Sequence, residues 1–250
     1  MENELVIDND QFSEMSEEES VSNVGDPICV QDGGLGELDD EHIKNLIVEN
    51  ADVKKLIKTI KRSVKYTPHG LKRIILFSGG NLDISARGYG VDGSLMRGRR
   101  SSTITNMVRS LMDKLEKFNR EVVDAGGRLI LTSLIPRPEE VDPSVSRHSA
   151  GLQRLLSDAF VKTNNEFYAF NKSIQVTTPH IKGFVEEKTQ RTKKGKLREN
   201  RIFYSGREQR VIKLSSYQSD LIHIKDEVRI KMVELVKKIV RGEDSKLRRF

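Results

Sequence analysis

Short, mostly apolar runs alternate along this chain with longer amphipathic stretches, and this alternation most narrows the folds that the chain can adopt. Residues 73–77 and 129–135 have the length of strands and are apolar at most positions, which is typical of strands buried on both faces. No run reaches the roughly 18–20 apolar residues that a membrane-spanning helix requires. Strands alternating with helices predict a three-layer α/β/α fold with a flavodoxin-like parallel sheet.

Apolar spacing and turn residues predict the remaining elements. Further strands are expected at residues 28–30, 173–176 and 211–214. Helices are expected where apolar residues recur at the 3.6-residue period: from Asp39, with Ile43, Leu46 and Ile47 on one face, over 53–64 and 104–122, from Ser149, and from Asp220 to Ile239. The Gly- and Arg-rich residues 85–102 show no periodicity and are expected to form a long loop.

The uneven distribution of charge indicates how the chain is divided. Residues 1–27 hold nine acidic side chains and no Lys or Arg, so the rest, with 43 basic and 28 acidic side chains, carries about +15. Residues 1–24 are expected to be a largely disordered acidic head, with room for one short strand over 4–8. Residues 25–240 are expected to form the α/β domain, with a basic insertion at 182–213, and residues 241–250 a basic tail.

Cysteine and histidine usage bears on cofactors and on the compartment. Cys29 is the only cysteine, so neither a disulfide framework nor a cysteine-rich metal site is expected. His69, His148 and His180 are far apart, so no metal and no cofactor are predicted. Acidic residues follow Met1 in place of a basic segment and an apolar run, so we expect no signal peptide. We expect a cytoplasmic or nuclear protein without a membrane partner.

Three segments place glycines or polar side chains where predicted strands end or where the predicted last helix begins. They are residues 33–36, residues 78–81, which read Ser-Gly-Gly-Asn, and residues 220–223, which contain Asp220 and His223. Ligands of open α/β sheets bind at the carboxyl ends of the strands. An Asp three residues before a His can orient the imidazole as a general base. The ordinary alternative is that the glycines form turns and that Asp220 only caps the last helix.

These residues resemble, in order and spacing, the blocks of the SGNH (GDSL-type) hydrolases. The family carries a Gly-Asp-Ser block with the nucleophilic serine, a glycine block, a Gly-x-Asn-Asp block and a final Asp-x-x-His. Gly80-Asn81-Leu82 is similar to the third block, with Leu82 in place of the usual aspartate. Asp220 and His223 are similar to the fourth block, and Gly34 or Gly36 to the glycine. The resemblance covers about residues 28–240 and implies an ester or acyl hydrolase fold, with Asn81 and Gly34 as oxyanion donors. Residues 129–138 also look like the strand and Pro-Arg turn of SGNH-like domains in some retroelement proteins.

The chain departs from this family at the nucleophile. If residues 5–7 are the first strand, Asp8-Asn9-Asp10 stands where the family has Gly-Asp-Ser, and Asp10 takes the place of the serine. Ser94 lies after the Asn81 block and would break the family order. A base needs a nucleophile within its reach. Serine esterase chemistry is therefore not expected, and the leading hypothesis is a catalytically degenerate domain used for binding.

Basic clusters suggest the partner of such a domain, since they attract the phosphates of nucleic acids. The candidate contacts are Arg97, Arg99, Arg100, Lys193, Lys194, Lys196, Arg198 and Arg201, with Phe203 and Tyr204 as stacking residues for single-stranded RNA or DNA. The alternative is that these clusters are solvated loops. Two other functions stay open: an active hydrolase that uses His223, Asp220, Asn81, Gly34 and an unidentified nucleophile, and a protein–protein interaction module.

Overall fold

Four short parallel strands form the central sheet of the protein. The computed structural model describes residues 24–64, 70–86, 100–142, 144–188, 202–205 and 208–248. In this part of the chain the strands β1 (Ile28–Gln31), β2 (Lys44–Ile47), β3 (Ile74–Ser78) and β4 (Arg128–Leu131) lie in the order β2-β1-β3-β4. Ile28 is opposite Lys44 on one side and Ile75 on the other. This order, with every strand parallel, is flavodoxin-like and confirms the predicted α/β class.

Helices cover the central sheet, and they also connect β2 to β3 and β3 to β4, whereas the connection from β1 to β2 contains no helix. The described helices are α1 (Val53–Ser63), α2 (Asn81–Ile84), α3 (Arg100–Asp124), α4 (Pro138–Val141), α5 (Ala150–Ser173) and α6 (Asp226–Leu247). Asp52 begins α1 by accepting a hydrogen bond from the amide of Lys55 at 2.8 Å, as N-cap residues do. Every residue of β1 and β3 is buried, which agrees with a sheet covered on both faces. None of these helices is long and apolar enough to cross a membrane.

The helix predicted from Asp39 is wrong, because residues 44–47 form the edge strand β2. Asp39 and Asn50 on either side of it have positive φ angles of 42° and 49°, which a helix cannot contain. The apolar residues here fit both periods, since so short a segment does not separate a spacing of 3.6 from one of 2. Pairing with β1 decides for the strand.

The strand predicted at 173–176 is also wrong. Ser173 is the last residue of α5, and Ile174 follows as its C-cap. Gln175 then adopts a positive φ of 57°, which ends the helix. Two apolar residues, Ile174 and Val176, suggested a strand, but they lie where the 24-residue helix α5 ends.

The last helix begins at Asp226 and not at Asp220, and it continues past Ile239 to Leu247. Tyr217 and Ile224 instead form an antiparallel bridge that closes a loop around Asp220, and Leu221 has a positive φ of 58°. The acidic residues that favour the start of this helix are Asp226 and Glu227 in its first turn. Negative charge there interacts favourably with the helix dipole.

The basic insertion contains a small antiparallel sheet that its lack of periodicity concealed. The strands β5 (Glu186–Lys188), β6 (Ile202–Ser205) and β7 (Glu208–Ile212) lie in the order β5-β7-β6. The strand predicted at 211–214 is therefore partly right, because Leu214 belongs to a 3₁₀ turn, Leu214–Ser216. Similarly, β4 ends at Leu131 and covers only the first part of the strand predicted at 129–135.

Candidate active-site pocket

The carboxyl ends of β1, β3 and β4 open into a pocket of about 580 Å³. Its residues come from the turns after these strands, from the end of β2 and the turn after it, from the loop before α6 and from the first turn of α6. They include Asp32, Gly34 and Gly36 after β1, Asn81 after β3, Ile135, Pro136 and Arg137 after β4, and Ile222, His223 and Ile224 before α6. The fold therefore brings together Gly34, Asn81 and His223, which lie far apart in the sequence but were predicted to share one site.

The turn after β1 is fixed by the buried Gln31. Its Oε1 accepts from the amide of Leu35 at 2.8 Å, and its Nε2 donates to the carbonyl of Gly36 at 2.6 Å. Gly36 has a φ of 67°, and a Cβ there would lie 2.6 Å from the guanidinium of Arg229. A side chain at Gly36 would therefore strain the backbone and force the Arg229 side chain to shift. The turn is a rigid element that presents Asp32 and Gly34 to the pocket.

Asp32 follows the first strand of the described sheet, and sequence reasoning overlooked it. Burial raises the pKa of its carboxyl group, while the charge of Arg137 and hydrogen bonds from the Asn81 side chain and the Gly34 amide oppose that rise. Its Oδ2 is buried and has no hydrogen-bond partner among the described residues. The two groups expected to donate to an oxyanion therefore lie beside this carboxyl group and oppose the rise in its pKa. The signal that could have found Asp32 was its position directly after the 28–31 strand.

His223 and Asp220 form a close pair at the rim of the pocket. Asp220 Oδ2 lies 2.5 Å from Nδ1 of His223, and Oδ1 accepts from the amides of Ile222 and His223 at 2.9 and 3.0 Å. The hydrogen bond from the His223 ring, and then those from the amides, lower the pKa of Asp220 to about 2. Asp220 therefore stays charged at neutral pH and orients the imidazole through Nδ1. It does not cap the last helix, which begins six residues later.

The segment after β4 supplies Arg137, which the sequence did not mark as a site residue. The Tyr217 hydroxyl donates to the carbonyl of Pro136 at 2.6 Å, and the amide of Leu134 donates to Asn164 Oδ1 at 2.8 Å. These buried contacts hold the backbone of residues 134–136 in place beside the pocket. The charged side chain of Arg137, the next residue, then lies near Asp32. The Pro-Arg-Pro turn directly after an apolar strand was the signal that could have identified it.

The lining residues limit the chemistry of the pocket. Among the described residues that line it there is no Ser, Thr or Cys. The thiol of Cys29 is buried within β1, and burial raises its pKa to about 12, so it is not a thiolate at neutral pH. The described residues also contain no group of three or more His, Cys, Asp or Glu side chains placed to hold a metal ion. The pocket offers an oriented imidazole, two arginines and carboxyl groups.

Most of the residues predicted to bind nucleic acid lie outside the described part of the chain. The residues concerned are Arg97, Arg99, Lys193, Lys194, Lys196, Arg198 and Arg201. The same holds for Asp10, which was predicted at the place of the nucleophile. Arg100 is the first residue of α3, and the backbones of Phe203 and Tyr204 pair with Arg210 and Gln209 across β6 and β7. These residues therefore remain a prediction from sequence.

Comparison with solved structures identifies the fold. No protein-family model and no curated protein sequence matches the chain. A GDSL-like lipase from Bacteroides thetaiotaomicron superposes with a TM-score of 0.55 at 10% identity, over 89% of this chain and 91% of the lipase. A candidate acylhydrolase from Bacteroides fragilis gives a TM-score of 0.55 at 10% identity, over 89% of each chain. The chain therefore has the SGNH (GDSL-like) hydrolase fold, as its order of glycine, asparagine and Asp-x-x-His residues predicted.

Proposed function

We propose that this domain keeps the fold and pocket of a GDSL-like hydrolase but acts by binding, with RNA or single-stranded DNA as its partner. The observation that supports the loss of acyl-enzyme chemistry is Asp32. It lies in the turn directly after β1, and Asn81 and Gly34 are close enough to its buried carboxyl group to oppose the rise in its pKa. A tetrahedral oxyanion needs those donors free and pointed at it, and a buried carboxyl group beside them competes for the same donors.

The choice of nucleic acid rests on charge. The chain beyond residue 27 carries about +15, and a body of that charge attracts polyphosphates at moderate ionic strength. Phe203 and Tyr204 stand within the most basic part of the sequence, and aromatic rings stack on unpaired bases. Both features favour a single-stranded ligand bound through its backbone and bases.

Fluorescence anisotropy of a labelled 20-nucleotide RNA and the matching DNA, at 50 and 200 mM KCl, tests this function. We expect binding that weakens steeply between the two salt concentrations, because each neutralised phosphate of a single strand adds about −0.7 to the logarithmic salt slope. Absence of binding at 50 mM, or an affinity that salt leaves unchanged, would contradict the proposal. A p-nitrophenyl acetate assay on the same preparation is expected to show no hydrolysis that depends on His223.

Hydrolysis by an activated water is the second candidate, favoured by the His223–Asp220 pair. The pair lies at the pocket with Nδ1 engaged by the carboxylate, which is the orientation that a general base requires. Water would then take the place of the missing serine. If the domain hydrolyses a small ester, His223→Ala and Asp220→Asn should each abolish the activity, whereas the exposed control His42→Ala should not. An activity that survives His223→Ala would exclude this mechanism.

A further inference from the structure

Helix α1 has a cationic exposed face that sequence reasoning did not single out. Its eleven residues contain five basic side chains and no acidic one: Lys54, Lys55, Lys58, Lys61 and Arg62. The apolar residues Val53, Leu56 and Ile60 are fully buried in the core. The solvent side of α1 therefore consists almost entirely of positive charge.

The other long helices of the described chain differ from α1, because each mixes the two signs of charge. Helix α3 contains Asp113, α5 contains Asp158, and α6 contains Asp226. Within α1, only Lys61 has an ion-pair partner among the described acids, Glu121 of α3. Lys54, Lys55, Lys58 and Arg62 are exposed and have no such partner among the described residues.

This arrangement opposes the stability of the helix. Lys54, Lys58 and Arg62 follow one another at intervals of four residues, and like charges at that spacing repel. Lys54 and Lys55 lie in the first turn, where the helix dipole disfavours positive charge. A bound polyanion would remove both penalties, so the pattern fits a ligand better than it fits a solvated surface.

We propose that the exposed face of α1 binds the phosphate backbone of the nucleic acid, an inference that rests on the proposed function. Cβ atoms four residues apart on a helix are about 6 Å apart. Lys54, Lys58 and Arg62 therefore form a line of cations that can run along one nucleic-acid strand. Asn50, just before α1, lines the pocket, and the amide of Val53 donates to Asp83 of α2 at 2.8 Å. A nucleic-acid strand that follows this face towards the start of α1 therefore reaches the mouth of the pocket.

A membrane surface fits α1 less well than nucleic acid does. Helices that lie on membranes insert an apolar face between lipids. Here Val53, Leu56 and Ile60 are already packed in the core and cannot be inserted. The exposed basic side chains of α1 are complementary to the phosphates of a nucleic acid and not to the apolar interior of a membrane.

The test compares two triple variants of the full chain that each remove three positive charges. K54A/K58A/R62A changes α1, and K225A/K231A/K238A changes exposed lysines at and within α6. The probe is fluorescein-labelled oligo(U) of 20 nucleotides, titrated from 50 to 200 mM KCl. Three lost phosphate contacts lower the salt slope by about 2 and weaken binding by at least 10-fold at 0.1 M. The α6 variant is expected to bind within about 3-fold of the parent, since nonspecific charge loss acts weakly.

The outcomes separate this inference from the proposed function. If the parent protein does not bind the probe at 50 mM KCl, the proposed function itself fails. If the parent binds with a steep salt slope and the two triple variants behave alike, α1 is not the binding face and the inference is overturned. Loss of binding to phosphatidylserine vesicles but not to oligo(U) in the α1 variant would overturn it in favour of a membrane. Retained binding by K54R/K58R/R62K, with an unchanged circular dichroism spectrum, supports it.

Discussion

Asn171 substitutes for a neighbouring strand at the edge of the sheet, and its removal should destabilise the protein strongly. The side chain is fully buried on α5. Its Oδ1 accepts from the amide of Leu131 at 3.0 Å, and its Nδ2 donates to the carbonyl of Leu131 at 2.6 Å and to Thr178 Oγ1 at 3.0 Å. Both backbone groups of the last residue of β4 therefore depend on one amide.

The expected magnitude follows from those contacts. Asn171→Ala leaves the amide and the carbonyl of Leu131 buried and unpaired, and each unsatisfied group costs about 1–3 kcal/mol. We expect the free energy of unfolding to fall by about 4 kcal/mol. Asn171→Asp keeps the acceptor but removes the donor, and it adds a charge that is costly to bury, so it is not a milder change. Asn165 is exposed on the same helix and provides a control. Asn165→Ala should change the free energy of unfolding by less than about 0.5 kcal/mol.

Urea denaturation followed by circular dichroism measures the difference. A lower midpoint with an unchanged dependence on urea concentration reports a loss of stability rather than a change of the unfolded state. A loss below about 1 kcal/mol for Asn171→Ala would refute the reasoning, because it would mean that Leu131 finds other partners. The same variant is expected to loosen the 134–137 segment, since that segment continues from β4 into the pocket.

Three further predictions concern side chains that differ in burial. Cys29, whose pKa burial raises to about 12, should resist a thiol reagent at pH 8 until guanidinium unfolds the protein; rapid labelling of the native state would contradict its burial. Tyr217→Phe removes the hydroxyl that donates to Pro136 and should cost about 1–3 kcal/mol in a thermal melt; an unchanged melting temperature would show that the contact contributes nothing. Lys58→Glu converts two repulsive four-residue pairs, with Lys54 and Arg62, into attractive ones and should stabilise the protein by about 1 kcal/mol while weakening oligo(U) binding. Lower stability in Lys58→Glu would show that repulsion along α1 is already screened.

The long elements could be predicted from the sequence because their pattern is redundant. Helix α3 repeats its apolar stripe over 25 residues, and a 3.6-residue period sustained over that length has no competing interpretation. The edge strand β2 has four residues, and its conformation depends on pairing with β1. That pairing is a tertiary contact, which local spacing does not contain.

Part of the candidate site could be predicted from the order in which its residues occur along the chain. Asn81 and His223 occupy places in the spacing of a known set of blocks, and the fold brings both to one pocket. Asp32 and Arg137 were missed because their significance lies in three-dimensional surroundings. An aspartate in a glycine-rich turn resembles an ordinary turn residue until the fold buries it beside Asn81.

The environments of Asp32 in the pocket and of Asp220 at its rim shift the pKa values of these two carboxyl groups in opposite directions. Asp220 is exposed, and the hydrogen bond from His223 lowers its pKa to about 2, whereas burial raises the pKa of Asp32. The His223 and Asp220 side chains are 65% and 40% exposed, and exposed ion pairs contribute little to stability. Their close pairing is thus not something that the fold needs in order to form. Opposed pKa shifts in one pocket are typical of sites where protons are held or moved. These opposed shifts support our proposal that the pocket is a functional site, although the described residues that line it supply no hydroxyl or thiol nucleophile.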